Sequence, residues 1–555
     1  CTDAIEGPTE NTIEPVDEED VVAPAQTKAT FSVPGSVVLN TPGDLYIYNE
    51  EAEQFNSVET HVIITITDVS TPERKYDYAL YLHKAGEEII GQELANNMHP
   101  NFAADSSAFN WITLGDEMLT WRFVFPSQRD QIAFKEVFLA KLWEAGAKKE
   151  FGKIKKEDAD WVLGAYEDDV DMGDDDGLTD DDMMDFSDEE DEDFDYDENT
   201  EKNTLLAVGQ ASDRAFVARG SKLGVFSVGD SLDYKTTIEN VVTPQKVQFR
   251  PKDMMLHKQD TDMLFLHPTE RKSVFRMDLT RGDVVDEWKT DGQVISTIVP
   301  ESKFAQSSDT QTLVGINNTG FFVLDPRVPG SKVVKSRNFQ YARNPKFACA
   351  STTEQGHLAV GSSTGEIRLF SNKSMQGDSF SRHEARLGGG ITKAPRAKTS
   401  LPGCGDPIVG IDVTSDGSWI LATCQTYLLI VPAELANGQS GFTRGMGKNK
   451  PIPRRLQLKR EHIAMMGGHV SFTPAKFNIG QMGERSIVTS TGKFVITWNF
   501  RKVKQNVLDQ YQIKKYQQEV VADHFKSWQD RDVVVAMPDD VRLAKRHKGV
   551  VKNWD

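Results

Sequence analysis

The chain has 555 residues, a formal net charge of -21 and 38% hydrophobic residues. It is too long for one ordinary domain, and no run approaches the roughly 18 apolar residues of a membrane-spanning helix. Cys1, Cys349, Cys404 and Cys424 show no CxxC or CxxH spacing, which argues against a disulfide framework or zinc site and points to a reducing compartment.

The charge is concentrated. Residues 1–29 hold eight acids and one Lys and are polar and Pro-containing, so a disordered acidic segment is expected. The chain starts with Cys rather than Met, which leaves room for an upstream region. Residues 30–146 hold 17 acids and seven bases. In YDYALYL, Tyr76, Tyr78, Leu80 and Leu82 alternate onto one face; in LTWRFVF, Leu119, Trp121, Phe123 and Phe125 do the same. Both read as half-buried antiparallel strands. The period then changes. Ser127 is a good N-cap with Asp130 three residues on, Phe134, Val137, Phe138, Leu142 and Trp143 form an apolar stripe, and Gly146 is the expected stop. Several strands closed by one amphipathic helix with a late Trp look like a pleckstrin-homology-type (PH-like) β-barrel or sandwich. Trp143 is expected in its core.

Residues 147–203 read as a linker. It opens with KKEFGKIKKEDADWVLGAY and becomes a tract, Glu167 to Asn199, with 20 acids and no base in 33 residues. Self-repulsion predicts an extended, disordered segment. An EF-hand placed with Gly177 at its sixth position puts Met172 and Met183 where Asp and Glu are required, so no specific calcium loop is expected. Thr179 and Ser187 each precede three acidic residues and are candidate sites for an acid-directed kinase.

Residues 204–555 carry 34 acids and 49 bases and no long amphipathic helix. Seven apolar hairpins recur: LLAVG with KLGVFS, MLFLH with SVFRMD, TLVGI with GFFVLD, LAVGS with GEIRLF, WILATC with YLLIVP, SIVTS with KFVITW, and VVVAM with DVRLA. Matched positions Phe226, Met277, Leu324, Phe370, Val431, Trp498 and Ala544 lie 51, 47, 46, 61, 67 and 46 residues apart, which suits a seven-bladed, degenerate WD40-like β-propeller with insertions at 371–407 and 432–470. The segments RAKTSLPGCGDPIVGIDVTSDGSWILATC (396–424), FACASTTEQGHLAVGSSTGEIRLFS (347–371) and SIVTSTGKFVITWNF (486–500) closely resemble the propeller of the vacuolar import and degradation protein 27 family, whose plant members are called defective embryo and meristems proteins. The resemblance covers residues 30–555. It implies a mainly β, non-enzymatic cytoplasmic protein connected with vacuolar import and degradation or vesicle trafficking, and it transfers no functional residues.

No enzyme signature is visible. GSSTG (361–365) matches G-x-S-x-G, but EIRLF follows as a strand rather than a helix, so Ser363 is expected in a hairpin turn. No catalytic, cofactor or metal residue is assigned. The first strands of the PH-like region carry Glu50, Glu51, Glu53 and Glu59 and no Lys or Arg, which argues against strong phosphoinositide or membrane binding. Candidate partner-binding basic loops lie in the two insertions: Arg382, Arg386, Lys393, Arg396 and Lys398, then Arg444, Lys448, Lys450, Arg454, Arg455, Lys459 and Arg460. Arg501, Lys502 and Lys504 form a further group, as do Lys545, Arg546 and Lys548. Without an aromatic platform, specific nucleic-acid binding is not expected. The run at 448–460 resembles a nuclear-import signal, which adds a nuclear location to the cytoplasmic expectation. The sequence thus reads as a scaffold for protein partners. Its two interaction domains are joined by a disordered tether, and the acidic tract competes for the basic propeller loops. A small GTPase regulator of the Ran-binding kind is the alternative, and a hydrolase at the propeller mouth a weaker one.

Overall fold

A computed structural model describes residues 32–167, 185–186, 201–376, 392–526 and 532–547, apart from isolated positions within these spans. The alternating segments form one antiparallel sheet: β1 (Ser36–Asn49), β2 (Gln54–Asp68), β3 (Tyr78–Lys84), β4 (Glu87–Glu93), β5 (Asn101–Ala103), β6 (Ala108–Thr113) and β7 (Leu119–Val124). Their order is β4-β3-β2-β1-β7-β6-β5. Tyr78, Leu80 and Leu82 face inward, as do Trp121, Phe123 and Phe125. Helix α1 (Gln128–Ala147) closes the sheet, with the Ser127 side chain accepting from the Asp130 amide. Such a cap contributes about 1 kcal/mol. Phe134 and Phe138 from α1 meet Phe102 and Phe109 with ring centroids 4.9 to 6.4 Å apart. Each fully buried ring of this kind contributes about 1.5–3 kcal/mol.

Two expectations fail at the end of α1. The helix runs through Gly146 and stops at Lys148, which takes the left-handed conformation (φ 52°) and donates its amide to the Glu144 carbonyl. Gly146 instead marks a close approach to the propeller, since a Cβ there would lie 2.9 Å from the Gly405 carbonyl oxygen. Nor is the start of the linker unstructured. Residues Phe151–Lys153 form a 3-10 turn and Lys156–Gly164 form helix α2, in which Trp161 and Val162 are 1% exposed.

The seven predicted blades are present, each with its strands in sequence order across the sheet. Blade 1 comprises Asn203–Val208, Arg214–Arg219, Lys222–Val228 and Leu232–Ile238. The expected pairing of LLAVG with KLGVFS is therefore wrong: RAFVAR lies between them and pairs with both. The other six hairpins join the second and third strands of their blades. Ser363 lies in the turn between Leu358–Ser362 and Ile367–Phe370. Each insertion contains the fourth strand of its blade, and its longer part lies between the third and fourth strands. Short helix α3 (Asn372–Met375) precedes Thr399–Leu401 of blade 4, and a long loop precedes Arg454–Leu456 of blade 5. Helix α4 (Arg460–Met465) then leads to blade 6, and α5 (Phe500–Lys504) sits before its last strand.

Closure is by packing of blade against blade. Among the described residues blade 7 has three strands, Ala522–Phe525, Val533–Ala536 and Val541–Ala544. The Asn203 amide donates to the Pro538 carbonyl at 2.7 Å, Lys202 pairs with Asp539 at 2.9 Å, and Val534 packs with Val208, Ala215 and Val228. Within the acidic tract, Asp185–Phe186 pairs antiparallel with the backbone of Arg546–His547.

Candidate interaction surface

The PH-like domain and the propeller share a hydrophobic core. One cluster joins Phe134, Phe138, Leu142 and Trp143 to Trp161 and Tyr166 of the α2 segment and to Ile408, Tyr427 and Leu429 of the propeller. Trp143 is core, as expected, but of a junction: its indole donates to the Gly403 carbonyl at 3.3 Å. The domains are therefore not joined by a tether alone. Helix α2 is a wedge between them, and the expectation that a disordered linker sets their effective concentration does not hold.

At the centre of this junction is a buried polar network. Asp406 accepts from the Asn96 amide at 2.5 Å and from the Tyr427 hydroxyl at 2.7 Å. Asn96 in turn accepts from the Tyr166 hydroxyl at 2.8 Å and from Arg455 at 3.0 Å. The Arg455 guanidinium lies between two rings, 4.3 Å from the centre of Tyr166 and 4.0 Å from that of Tyr427. Burial pushes the Asp406 carboxyl up, while the Tyr427 and Asn96 hydrogen bonds and the Arg455 charge oppose the shift. His99 is buried beside the network, and desolvation together with Arg455 lowers its pKa from 6.5 to about 4. Paired polar groups in a buried junction fix one relative orientation, because any shift leaves several of them without partners.

The structure disperses the basic residues that the sequence grouped. Arg382 and Arg386 lie outside the described residues, as do Thr179 and Ser187. Lys393 is in a short strand, Thr392–Lys393, running parallel to the last strand of blade 3. Arg396, Lys398 and Arg444 are exposed, and their segments meet where the Thr399 hydroxyl donates to the Gly441 carbonyl at 2.8 Å. Lys448 lies 3.6 Å from Glu157, and Lys450 pairs with Asp158, so both hold the N-terminal turn of α2. Arg454 stacks on Trp419 at 4.9 Å, and Lys459 pairs with Asp509 at 3.3 Å. Arg455 is 9% exposed and serves the junction, so it is not a surface loop residue. Sequence reasoning missed this role because a basic run looks solvated. The available signal was Trp161 and Tyr166 in a segment read as linker.

Among the described residues no group of three or more His, Cys, Asp or Glu is placed to hold a metal ion, and no helix is long and apolar enough to cross a membrane. Cys404 and Cys424 are 2% and 1% exposed. Burial pushes the Cys404 thiol up to about 12, and it raises Cys424 as well.

Residues 201–552 match the VID27 C-terminal WD40-like domain, and residues 36–145 match the VID27 PH-like domain. The chain is 34% identical to vacuolar import and degradation protein 27 of Schizosaccharomyces pombe over 94% of its own length and 67% of the relative's. It is 28% identical to the Saccharomyces cerevisiae protein of the same name over 90% of its length and 66% of the relative's. The chain thus spans about two thirds of each relative's length. Among solved structures, the β-propeller domain of Cps50 (Swd1) from Myceliophteria thermophila is similar, with 10% identity and a TM-score of 0.42 over 62% of this chain and 96% of that one. With both family domains matched in order over most of the chain, it belongs to the VID27 family.

Proposed function

We propose that the chain is a non-enzymatic, cytoplasmic protein-interaction scaffold serving vacuolar import and degradation, the process for which its two fungal relatives are named. The observation that carries this reading is the shared core of the PH-like domain, α2 and the propeller. A fixed junction presents two folds as one broad surface, and a propeller offers partners many loops on a rigid frame. In the finer form of the proposal, the acidic tract competes with acidic partners for basic propeller residues. Three features support it. The tract begins immediately after Tyr166, which is buried against Arg455. The exposed Arg396, Lys398 and Arg444 remain available to an acidic segment. The backbone of Asp185–Phe186, within the tract, pairs with that of Arg546–His547.

The test is to delete residues 167–199 and measure partner affinity across a salt series. Relief of competition is expected to raise affinity at low salt and to steepen its salt dependence. Unchanged affinity and slope would refute the competition. Membrane docking is not part of the proposal. The β1–β2 hairpin has no Lys or Arg, and its Glu59 pairs with Lys84 of β3. Tight flotation of the full chain with vesicles rich in phosphatidylserine would contradict this.

A further inference from the structure

The ladder between β1 and β7 ends early. It runs from Asp44–Val124 to Ile47–Trp121 and goes no further, although β1 continues to Asn49 and β7 begins at Leu119. Where the two strands part lies a cavity of about 250 Å³. Tyr48 and Thr120 line it from the parted strands and Phe55 from β2, while Arg460, Glu461, Ala464 and Met465 close it from helix α4 of the propeller. It therefore exists only because the two domains are locked together. Its floor is aromatic: Tyr48 and Phe55 meet edge-to-face at 5.1 Å, and Arg122 lies 3.8 Å over the Phe55 ring. Met465 on its rim is 56% exposed.

We propose that this cavity binds an extended acidic peptide of a partner protein, which inserts one bulky apolar side chain between Tyr48, Phe55 and Ala464. The proposal rests on the scaffold reading and names one docking site for it. Size argues for a side chain, since pockets that enclose a whole drug-sized ligand span roughly 300–1,000 Å³. Charge argues for an acidic flank. The adjoining α4–α5 rim carries Arg454, Lys459, Arg460, Arg501, Lys502 and Lys504 against Glu461 and Asp509. These segments are contiguous in space: Arg454 donates to Asn506 at 3.0 Å, and Ile463, Phe500 and Val503 share one core cluster. The acidic flank therefore belongs over the propeller side of the cavity, where these cations lie.

The experiment selects a displayed library of random peptides on the chain lacking residues 167–199. An enriched peptide is then titrated, fluorescently labelled, into that chain and into its Ala464→Trp and Met465→Glu variants. Trp at 464 fills the cavity, and Glu at the exposed 465 tests its mouth without touching the core. Circular dichroism confirms the fold of each. The expected result is enrichment of Leu, Met or Phe beside Asp or Glu, with affinity falling at least about tenfold in both variants, roughly 1.4 kcal/mol. No such enrichment, or affinity within about twofold in the variants, would overturn the proposal. A synthetic peptide of residues 167–199 forms the second arm. If it binds and is equally sensitive to Ala464→Trp, the occupant is the chain's own tract, and the partner assignment is overturned. If its binding responds to charge reversal at Arg396, Lys398 and Arg444 but not to Ala464→Trp, and selected peptides are equally insensitive, the competition reading stands and the cavity proposal fails.

Discussion

Replacing Arg455 by alanine removes three interactions at once from the junction between the two domains. The guanidinium donates to Asn96 at 3.0 Å and faces the rings of Tyr166 and Tyr427 at 4.3 and 4.0 Å. A charged hydrogen bond contributes about 1.5–3 kcal/mol, and a desolvated cation–π contact adds about 1–2 kcal/mol. The second ring is shared, so simple addition overcounts, and a loss of about 4 kcal/mol is expected. The perturbation is local, because Arg455 clamps Tyr166 at the end of α2. Hydrogen exchange of the α2 amides, Lys156 to Gly164, is the direct measure. At about 1.4 kcal/mol per tenfold, their protection should fall about a thousandfold relative to the amides of blades 1 and 2. Arg455→Lys should recover only a minor part, since an ammonium cannot lie flat against two rings. Protection of α2 within tenfold of the unmodified chain would refute the clamp. An equal loss in every blade would refute its locality.

Acid should weaken the fold through His99. The unfolded side chain takes up a proton near pH 6.5 but the folded one only near 4, so the stability it contributes is complete above about 6.5 and is lost as pH falls towards 4. The loss amounts to about 3 kcal/mol. His99→Asn suits the left-handed backbone there (φ 48°) and should make the decline between pH 6.5 and 4 in urea-melt midpoints shallower without abolishing it, since burial lowers His257 to about 4 as well. Lys303 and Asp412 form a buried pair, 7% and 9% exposed, so Lys303→Met should lower stability by about 3–5 kcal/mol, read as an earlier thermal transition. Gly146→Val should destabilise the chain by about 1–3 kcal/mol despite a better helix former, because its Cβ meets the Gly405 backbone rather than a movable side chain. Cys404 and Cys424 should resist a thiol reagent in the native chain and react at once in denaturant, a contrast that thiol titration would read.

Much of the architecture was legible because it depends on local periodicity. Leu80, Leu82, Phe123 and Phe125 alternate because a strand has a period of two, and they are buried as that alternation requires. The blade count followed from recurring hairpins, and the one mistaken pairing came from skipping RAFVAR, the strand that lies between the two segments and pairs with both. Ser127 was readable as a cap because its hydrogen bond spans three residues. The junction was not readable in the same way. Asn96 and Arg455 are 359 residues apart, and nothing local to either marks the other as its partner.

The sequence by itself determined the two folds, their order and the electrical split of the chain, since periodicity, turn residues and charge are local properties. Only the tertiary structure decided that α2 is a wedge, that Gly146 is there for a neighbouring backbone, and that Arg455 faces inward. Those outcomes depend on which surfaces exclude water together. A guanidinium is solvated or stacked according to what packs above it, and here Tyr166, Tyr427 and Asn96 come from distant parts of the chain to enclose it.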